Sequence, residues 1–193
     1  MNRLAPILLF TYNRPEHTQL TVEALIKNHL SKESDLIIYS DGARTPKQRQ
    51  KVDEVRKYLT TITGFHSVKL IHRSHNFGLA TSIIQGITEV LQQSERVIVL
   101  EDDMIISPYF LTYMNDALDQ FAKDERVISI HGYVYPVEQE LPEAFFIPGA
   151  DCWGWATWRR GWEIFNSNGQ YLLDELTRQG LLRSFDFNGA YPY

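Results

Sequence analysis

Short, mostly apolar segments alternate with longer segments of helical periodicity along the first two thirds of the chain. The apolar segments predict five strands, at residues 6–11, 36–40, 68–71, 97–100 and 127–130. The first and fourth segments lack the polar alternation of a half-exposed strand, and this is typical of strands buried on both faces of a parallel sheet.

The connecting segments carry apolar residues three or four positions apart, as one face of a helix requires. Val52, Val55 and Leu59 show this spacing in the second connection. Pro15, Thr45-Pro46 and Ser107-Pro108 mark predicted helix starts, and the first helix is predicted to reach about Asn28. This alternation predicts an α/β fold, a three-layer α/β/α sandwich with a mostly parallel central sheet.

The pattern dissolves after Tyr133, where prolines interrupt the chain and only residues 145–147 suggest another short strand. All four tryptophans then fall close together, at positions 153, 155, 158 and 162. The last three fit one helical face that packs against the sheet. We expect a single domain over residues 1–193.

Composition excludes several classes of function. The 193 residues carry a net charge of −5 without a basic stripe, so we expect no nucleic-acid partner. The single cysteine, Cys152, precludes an internal disulfide and fits a reducing compartment. We find no signal peptide and no apolar run long enough to span a bilayer. We therefore expect a soluble cytoplasmic protein, with at most peripheral membrane association.

Three consecutive carboxylates, Glu101, Asp102 and Asp103, follow the fourth predicted strand, and apolar residues resume at once after them. Adjacent charges at the end of a core strand repel one another and need a compensating cation. The alternative is a solvated acidic turn. The six histidines lack metal-binding spacing, so the sequence favours Mg²⁺ or Mn²⁺ over zinc.

Other polar turns follow the neighbouring strands, at Asn13-Arg14, Asp41-Gly42 and Asn76-Phe77-Gly78. The carboxyl ends of parallel strands share one edge of the sheet, where ligands bind in such folds. A nucleoside diphosphate fits there, because a cation can bridge its charge to an acidic protein. Asp41 could accept the ring N–H of uracil, thymine or guanine, and Arg14 could pair with the diphosphate or stack on the base. The alternatives are a turn-capping aspartate and a surface arginine.

Neither a Gly-rich phosphate loop nor a Gly-x-Ser-x-Gly elbow is present. The Asn13-Arg14-Pro15, Ser40-Asp41-Gly42 and Glu101-Asp102-Asp103 motifs instead resemble the GT-A-fold glycosyltransferases. The likeness is closest to the N-acetylglucosaminyltransferase I type and to bacterial family-two sugar transferases. The Asn76–Ala80 segment resembles the helix-opening turn of the family-two enzymes, and the segment 148–155 resembles the Gly-Trp segment that lines their donor-sugar and acceptor pocket.

This resemblance implies a metal-dependent transfer of sugar from a nucleotide-sugar donor, with UDP-sugar favoured, to a glycan or lipid-linked glycan. It further implies inversion at the anomeric carbon and a role in bacterial surface polysaccharide synthesis, at the inner face of the membrane. Asp103 would bind the metal. The other residues implied in donor binding are Thr11, Asn13, Arg14, Asp41, Asn76, Gly78, Glu101, Asp102, Gly154 and Trp155.

The chain departs from the inverting members at the catalytic base, for which no downstream motif matches. Asp151 and Asp186 are the only candidates. We therefore expect a C-terminally truncated chain, in which residues 1–132 bind the donor and residues 133–193 form an incomplete acceptor-side region. The alternatives are a nucleotide- or glycan-binding module of the same fold without catalysis, and a sugar nucleotidyltransferase.

Overall fold

The computed structural model describes residues 4–190, and residues 1–3 and 191–193 lie outside this range. The sequence ends in an aromatic-rich segment, residues 185–193, which also underlies the expectation of truncation, and its last three residues lie outside the described range. The strands are β1 (Ile7–Thr11), β2 (Asp35–Ser40), β3 (Ser67–His72), β4 (Arg96–Glu101), β5 (Ser129–His131) and β6 (Trp155–Trp158). The helices are α1 (Pro15–Ile26), α2 (Arg49–Leu59), α3 (Leu79–Leu91), α4 (Phe110–Gln120), α5 (Arg159–Trp162), α6 (Gly169–Gln179) and α7 (Leu182–Phe185).

The six strands form one sheet in the order β3-β2-β1-β4-β6-β5. β1 pairs in parallel with both β2 and β4, and β2 pairs in parallel with β3. β6 runs antiparallel to both of its neighbours, β4 and β5. The prediction of a mostly parallel sheet is confirmed.

Helices cover both faces of this sheet. Ile7 and Leu9 of β1 pack in a cluster that contains residues of α1, α2 and α4. Leu8 and Phe10 point to the opposite face, in a cluster with Ile87 of α3. Because successive side chains of a strand alternate between faces, the four apolar residues 7–10 of β1 supply both cores. The three-layer prediction is therefore confirmed.

The predicted helical face of Trp155, Trp158 and Trp162 is wrong. Trp155 and Trp158 lie in strand β6, and only Trp162 lies in a helix, the short α5. Trp158 packs on the α4 side of the sheet, while Trp155 and Trp162 pack on the α3 side with ring centroids 6.2 Å apart. A three-residue separation suits a helix, but it also places two strand residues on opposite faces.

Smaller differences concern element ends. α1 ends at Ile26 rather than near Asn28, and the fifth strand covers Ser129–His131 rather than residues 127–130. Residues 145–147 form no strand. Within residues 4–190, no helix has the length and apolar content needed to cross a membrane.

Candidate functional site

The sheet order brings the polar turns of the first four strands to one edge. β1 lies between β2 and β4, so the turn that follows β1 lies between Asp41 and the acidic residues after β4. The backbone N–H of Asp41 donates to the Thr11 carbonyl at 3.0 Å, and the N–H of Tyr12 donates to the carboxylate of Asp102 at 3.3 Å. The predicted convergence of these turns is therefore present in the structure.

Arg14 occupies the centre of this edge and pairs with two of the three consecutive carboxylates. Its guanidinium forms one ion pair with Asp102 and a second with Asp103, the latter at 2.8 Å. The Asp102 side chain is 3% exposed, whereas those of Arg14 and Asp103 are each 42% exposed. Two ion pairs use only part of the five-donor fork of arginine, so an exposed Arg14 can still donate to an anionic ligand.

Asp102 is the structural member of the three carboxylates. Besides Arg14, its Oδ2 accepts the backbone N–H of Tyr12 and the hydroxyl of Thr18, both at 3.3 Å. Because a buried carboxylate needs several compensating donors, these contacts explain how the protein accommodates the Asp102 side chain in its interior. Nothing in the sequence around Tyr12 or Thr18 indicates that these residues donate hydrogen bonds to Asp102.

Glu101 experiences the net negative charge of this edge. Its pKa is raised by burial first, and then by the charges of Asp103 and Asp102, while Arg14 opposes the shift. One arginine therefore does not fully compensate the three carboxylates. The same negative potential reaches Cys152, whose thiol pKa is raised by burial and next by the charge of Glu101. Cys152 thus lies close to the acidic residues.

Asp41 holds together the turns that follow β2 and β3. Its carboxylate accepts four N–H groups, from the Asn76 amide and from the backbones of Gly42, Phe77 and Gly78, at 2.9–3.0 Å. These donors match the four acceptor positions of a carboxylate. A base N–H would have to replace one of them, so the assignment of Asp41 to the nucleotide base stays a prediction.

Gly42 lets these two turns approach closely. A Cβ on this residue would lie 2.4 Å from the backbone carbon of His75. The Gly42 carbonyl also accepts the Asn76 amide at 2.9 Å. Gly78 has a φ of 76°, a conformation that favours glycine, and it immediately precedes α3. The Asp-Gly and Asn-x-Gly motifs are therefore two halves of one turn assembly.

Arg56 and Arg73 support this assembly, although no local pattern in the sequence marks either residue. Arg56 of α2 donates to the carbonyls of Ser40, Asp41 and Arg73 at 2.8–3.3 Å. The Arg73 guanidinium lies 4.8 Å from the Phe77 ring centroid. Carbonyl groups at strand ends need donors when they are buried. Only the fold reveals that Arg56 supplies these donors and that Arg73 packs on Phe77.

The predicted Gly-Trp residues lie beside β4 at the same edge. Gly154 is buried with a φ of 73°, and its carbonyl accepts the N–H of Gly132 at 2.8 Å. Trp155 begins β6 and pairs with Val99 of β4 and with His131 of β5. The segment that precedes Trp155 therefore runs next to the acidic residues.

The two candidate bases have different surroundings. The Asp151 backbone N–H donates to His131 Nδ1 at 3.1 Å, and its Oδ1 accepts the Trp153 N–H at 2.8 Å. Asp151 also contributes to the raised pKa of Cys152, as Glu101 does, which places it near the acidic edge. Asp186 caps the short turn after α7 by accepting the Gly189 N–H at 2.9 Å. Neither assignment as a base is tested by this geometry.

The residues present fit a hard divalent cation that is held partly by the protein and partly by the phosphates of a bound substrate. In the described part of the chain, no three His, Cys, Asp or Glu side chains form a ready-made metal cage. Mg²⁺ and Mn²⁺ are commonly held by one or two carboxylates together with substrate phosphates. Asp103 is the exposed carboxylate that could hold such a cation, although it also pairs with Arg14, whereas Asp102 is buried among protein donors.

Several solved structures resemble this chain at low sequence identity. A 1–349 fragment of S. aureus TarS superposes with a TM-score of 0.52 at 16% identity, covering 80% of this chain and 47% of the fragment. A mannosyltransferase from Pyrobaculum calidifontis, solved with GDP-Man and Mn²⁺, gives a TM-score of 0.48 at 14% identity, covering 67% of this chain and 35% of that protein. The chain thus spans less than half of either protein.

A synthase of 4-diphosphocytidyl-2C-methyl-D-erythritol from Anaerococcus prevotii gives a TM-score of 0.49 at 13% identity, covering 90% of this chain and 83% of that protein. No curated protein matches the sequence.

A family model identifies the chain more directly than these structures do. The model described as glycosyl transferase family 2 matches residues 7–171, which include β1 to β6 and every turn of the candidate site. The family-two part of the predicted resemblance is confirmed, whereas the N-acetylglucosaminyltransferase I-like subtype and the truncation stay predictions. The chain belongs to glycosyl transferase family 2.

Proposed function

We propose that this protein transfers a sugar from a nucleotide-sugar donor to a hydroxyl of a glycan or lipid-linked glycan. The observation that carries the proposal is the cluster of Arg14, Asp102 and Asp103 at the carboxyl edge of the parallel strands. It offers one cationic group and one accessible carboxylate where ligands of such sheets bind. Both are needed to bind a diphosphate through a metal.

In this proposal the donor diphosphate lies over Arg14 and Asp103. A divalent cation, Mn²⁺ or Mg²⁺, bound at Asp103 supplies positive charge to the departing nucleoside diphosphate. Arg14 donates to the phosphate oxygens and remains anchored through Asp102. Glu101 lies at the end of β4 on the sugar side, where a carboxylate can accept sugar hydroxyls.

We further propose a UDP-sugar as the donor, inversion at the anomeric carbon and a cytoplasmic site of action in bacterial surface polysaccharide synthesis. In this proposal Asp41, in the turn assembly beside the cluster, accepts the ring N–H of uracil in place of one of its present donors, such as the Asn76 amide. The remaining residues proposed to line the donor site at this edge of the sheet are Asn13, Gly78, Gly154 and Trp155.

Calorimetric titration with UDP, in the presence and absence of Mn²⁺, tests the proposal. We expect metal to tighten binding at least about tenfold, which corresponds to about 1.4 kcal/mol. Asp103→Asn should abolish the metal dependence. Asp116→Asn is the matched control, because Asp116 is an exposed carboxylate of α4. Binding of UDP that is independent of metal in the unaltered protein would contradict the proposal.

Release of UDP from a UDP-sugar separates catalysis from binding alone. A transferase hydrolyses its donor slowly when water replaces the acceptor. UDP release above the rate in buffer is therefore expected, with loss in Asp103→Asn. Tight binding with no release would favour a binding module of the same fold.

A further inference from the structure

Three aromatic side chains form an exposed cluster beside the candidate donor site. Tyr133, Tyr135 and Trp153 have ring centroids 4.8–5.7 Å apart. The rings meet mostly edge to face, and each residue remains 41–52% exposed. Such contacts fix the ring orientations and leave aromatic faces open to solvent. An exposed apolar cluster of this kind commonly marks a binding surface.

The backbone beneath this aromatic platform is held firmly. The Gly132 N–H donates to the Gly154 carbonyl at 2.8 Å, so the residues next to Tyr133 and Trp153 are joined directly. A Cβ on Gly132 would lie 2.6 Å from the Phe110 ring and 2.8 Å from the Gly154 oxygen. Close packing therefore fixes the base of the platform against α4.

The sheet register places the platform next to the sugar end of the donor site. Trp155 pairs with Val99 of β4 and with His131 of β5, both in antiparallel register. β6 begins at Trp155, and the chain turns at Gly154, which has a φ of 73°. A Cβ on Gly154 would lie 3.4 Å from the side chain of Leu100, the residue that precedes Glu101. Trp153 therefore adjoins a residue that packs against the end of β4.

We propose that Tyr133, Tyr135 and Trp153 form the acceptor subsite, on which the apolar C–H face of a pyranose ring stacks. This inference rests on the proposed function and names the residues that would recognise its acceptor. A pyranose presents C–H groups on its face and hydroxyls around its rim. The aromatic rings match the face, and the carboxylates of Glu101 and Asp151 can accept hydrogen bonds from the rim.

Charge favours a glycan over other occupants of the platform. Glu101, Asp103 and Asp151 surround the adjoining Cys152 closely enough to raise its pKa, after burial, which is the largest cause. Anionic lipid headgroups and nucleic-acid phosphates would be repelled by this potential. A neutral sugar is not repelled, and it gains hydrogen-bond acceptors.

Saturation-transfer NMR with soluble sugars tests this subsite. The probes are methyl β-D-glucopyranoside, methyl α-D-mannopyranoside and methyl α-L-rhamnopyranoside. We expect at least one to receive saturation at the protons of one ring face. Trp153→Ala should raise the dissociation constant of that probe about tenfold, the loss expected for one aromatic contact. Trp153→Phe should recover most of the affinity.

Tyr171→Ala is the matched control, because Tyr171 is an exposed aromatic residue of α6. The control variant should bind the probe as the unaltered protein does. Equal affinities in Trp153→Ala and the unaltered protein would overturn the proposal. Trp153→Phe keeps the test informative if Trp153→Ala fails to fold.

Octyl β-D-glucopyranoside, used below its micellar concentration, distinguishes a sugar-binding platform from one that binds a lipid chain or a protein, because it carries both a sugar ring and an alkyl chain. Saturation of the alkyl chain alone would show a lipid or protein contact and would overturn the glycan assignment. UDP titration of the same sample separates the two proposals. If UDP binds with Mn²⁺ but no pyranoside receives saturation, the platform is wrong while the proposed function stands. If UDP does not bind, the proposed function fails.

Discussion

The guanidinium of Arg14 pairs with the carboxylate of Asp102, although the two residues are 88 positions apart in the chain. This ion pair connects the turn after β1 to the end of β4. Because Asp102 is almost wholly buried, the pair is a stability element as well as part of the candidate site. Its two functions can be separated by substitution.

Asp102→Asn removes the charge while it keeps the size of the side chain. We expect a loss of about 1–3 kcal/mol in unfolding free energy, which is less than for a fully buried pair because Arg14 is 42% exposed. Urea denaturation followed by circular dichroism measures this loss. Asp103→Asn is the control, and its exposed pair should cost less than about 1 kcal/mol. Equal losses would contradict the structural role of Asp102.

Asp41→Asn should destabilise the protein strongly. Asparagine offers one acceptor oxygen, so some of the four N–H groups that Asp41 accepts would lose their partner. Each buried unsatisfied donor costs about 1–3 kcal/mol, and we expect a total of about 2–4 kcal/mol in urea denaturation. A variant as stable as the parent would show that these hydrogen bonds contribute little.

Nucleotide selectivity tests the second role predicted for Asp41. If its carboxylate also accepts the uracil N–H, Asp41→Asn should reduce the preference for UDP over CDP, because cytosine lacks that ring donor. Calorimetry with both nucleotides measures the ratio of affinities, under conditions in which the variant is folded. An unchanged ratio would leave Asp41 with the turn assembly alone.

Gly42→Ala should disrupt the contact between the turns after β2 and β3. Its Cβ would meet the His75 backbone at 2.4 Å, and a backbone atom cannot move aside cheaply. Overpacking of this kind costs about 1–3 kcal/mol. Gly169→Ala at the start of α6 is the control, since its Cβ would meet nothing within 4 Å. Thermal melts of the two variants should differ clearly, with Gly42→Ala the lower.

Stability should fall as the pH drops below about 6.5, partly because of His131. Burial lowers the pKa of this histidine in the folded protein, although the Asp151 charge opposes the shift. The unfolded chain therefore binds a proton at higher pH than the native one, and stability is lost as the pH falls towards the folded pKa. The contribution to the slope is at most about 1.4 kcal/mol per pH unit.

His131→Asn should flatten this pH dependence, because its amide oxygen can replace Nδ1 as acceptor for the Asp151 N–H without titrating. Urea denaturation at several pH values between 5 and 7 measures the slope. His17→Gln, at an exposed position of α1, should leave the slope as it is. An unchanged slope in His131→Asn would contradict the assignment. His72, whose pKa is also lowered, accounts for part of the remainder.

The sequence predicted β1 to β4 and their turns because each signal is local. A run such as residues 97–100 is too apolar for any place but the core, and a polar turn must follow at its end. The common edge of Asp41, Asn76 and the acidic residues then follows from parallel pairing alone.

The strand β6 escaped prediction because its evidence is long-range. Trp155 and Trp158 have a spacing that suits a helix, and only pairing with β4 and β5 selects the strand. The donors to Asp41 and Asp102 were missed for the same reason. An acidic residue in a sequence shows its charge, whereas its hydrogen-bond partners come from segments up to 90 positions away.

The chain leaves the sheet after β5 at Gly132 and returns to it before β6 at Gly154, and a hydrogen bond joins these two glycines. Everything between these residues lies at the surface, and the strands on either side are anchored independently of it. The residues between the two glycines can therefore be replaced without disturbing the strands of the sheet. Under the proposed acceptor subsite, a different loop grafted between the same two glycines should change the acceptor preference, while β1 to β4 keep the proposed donor site.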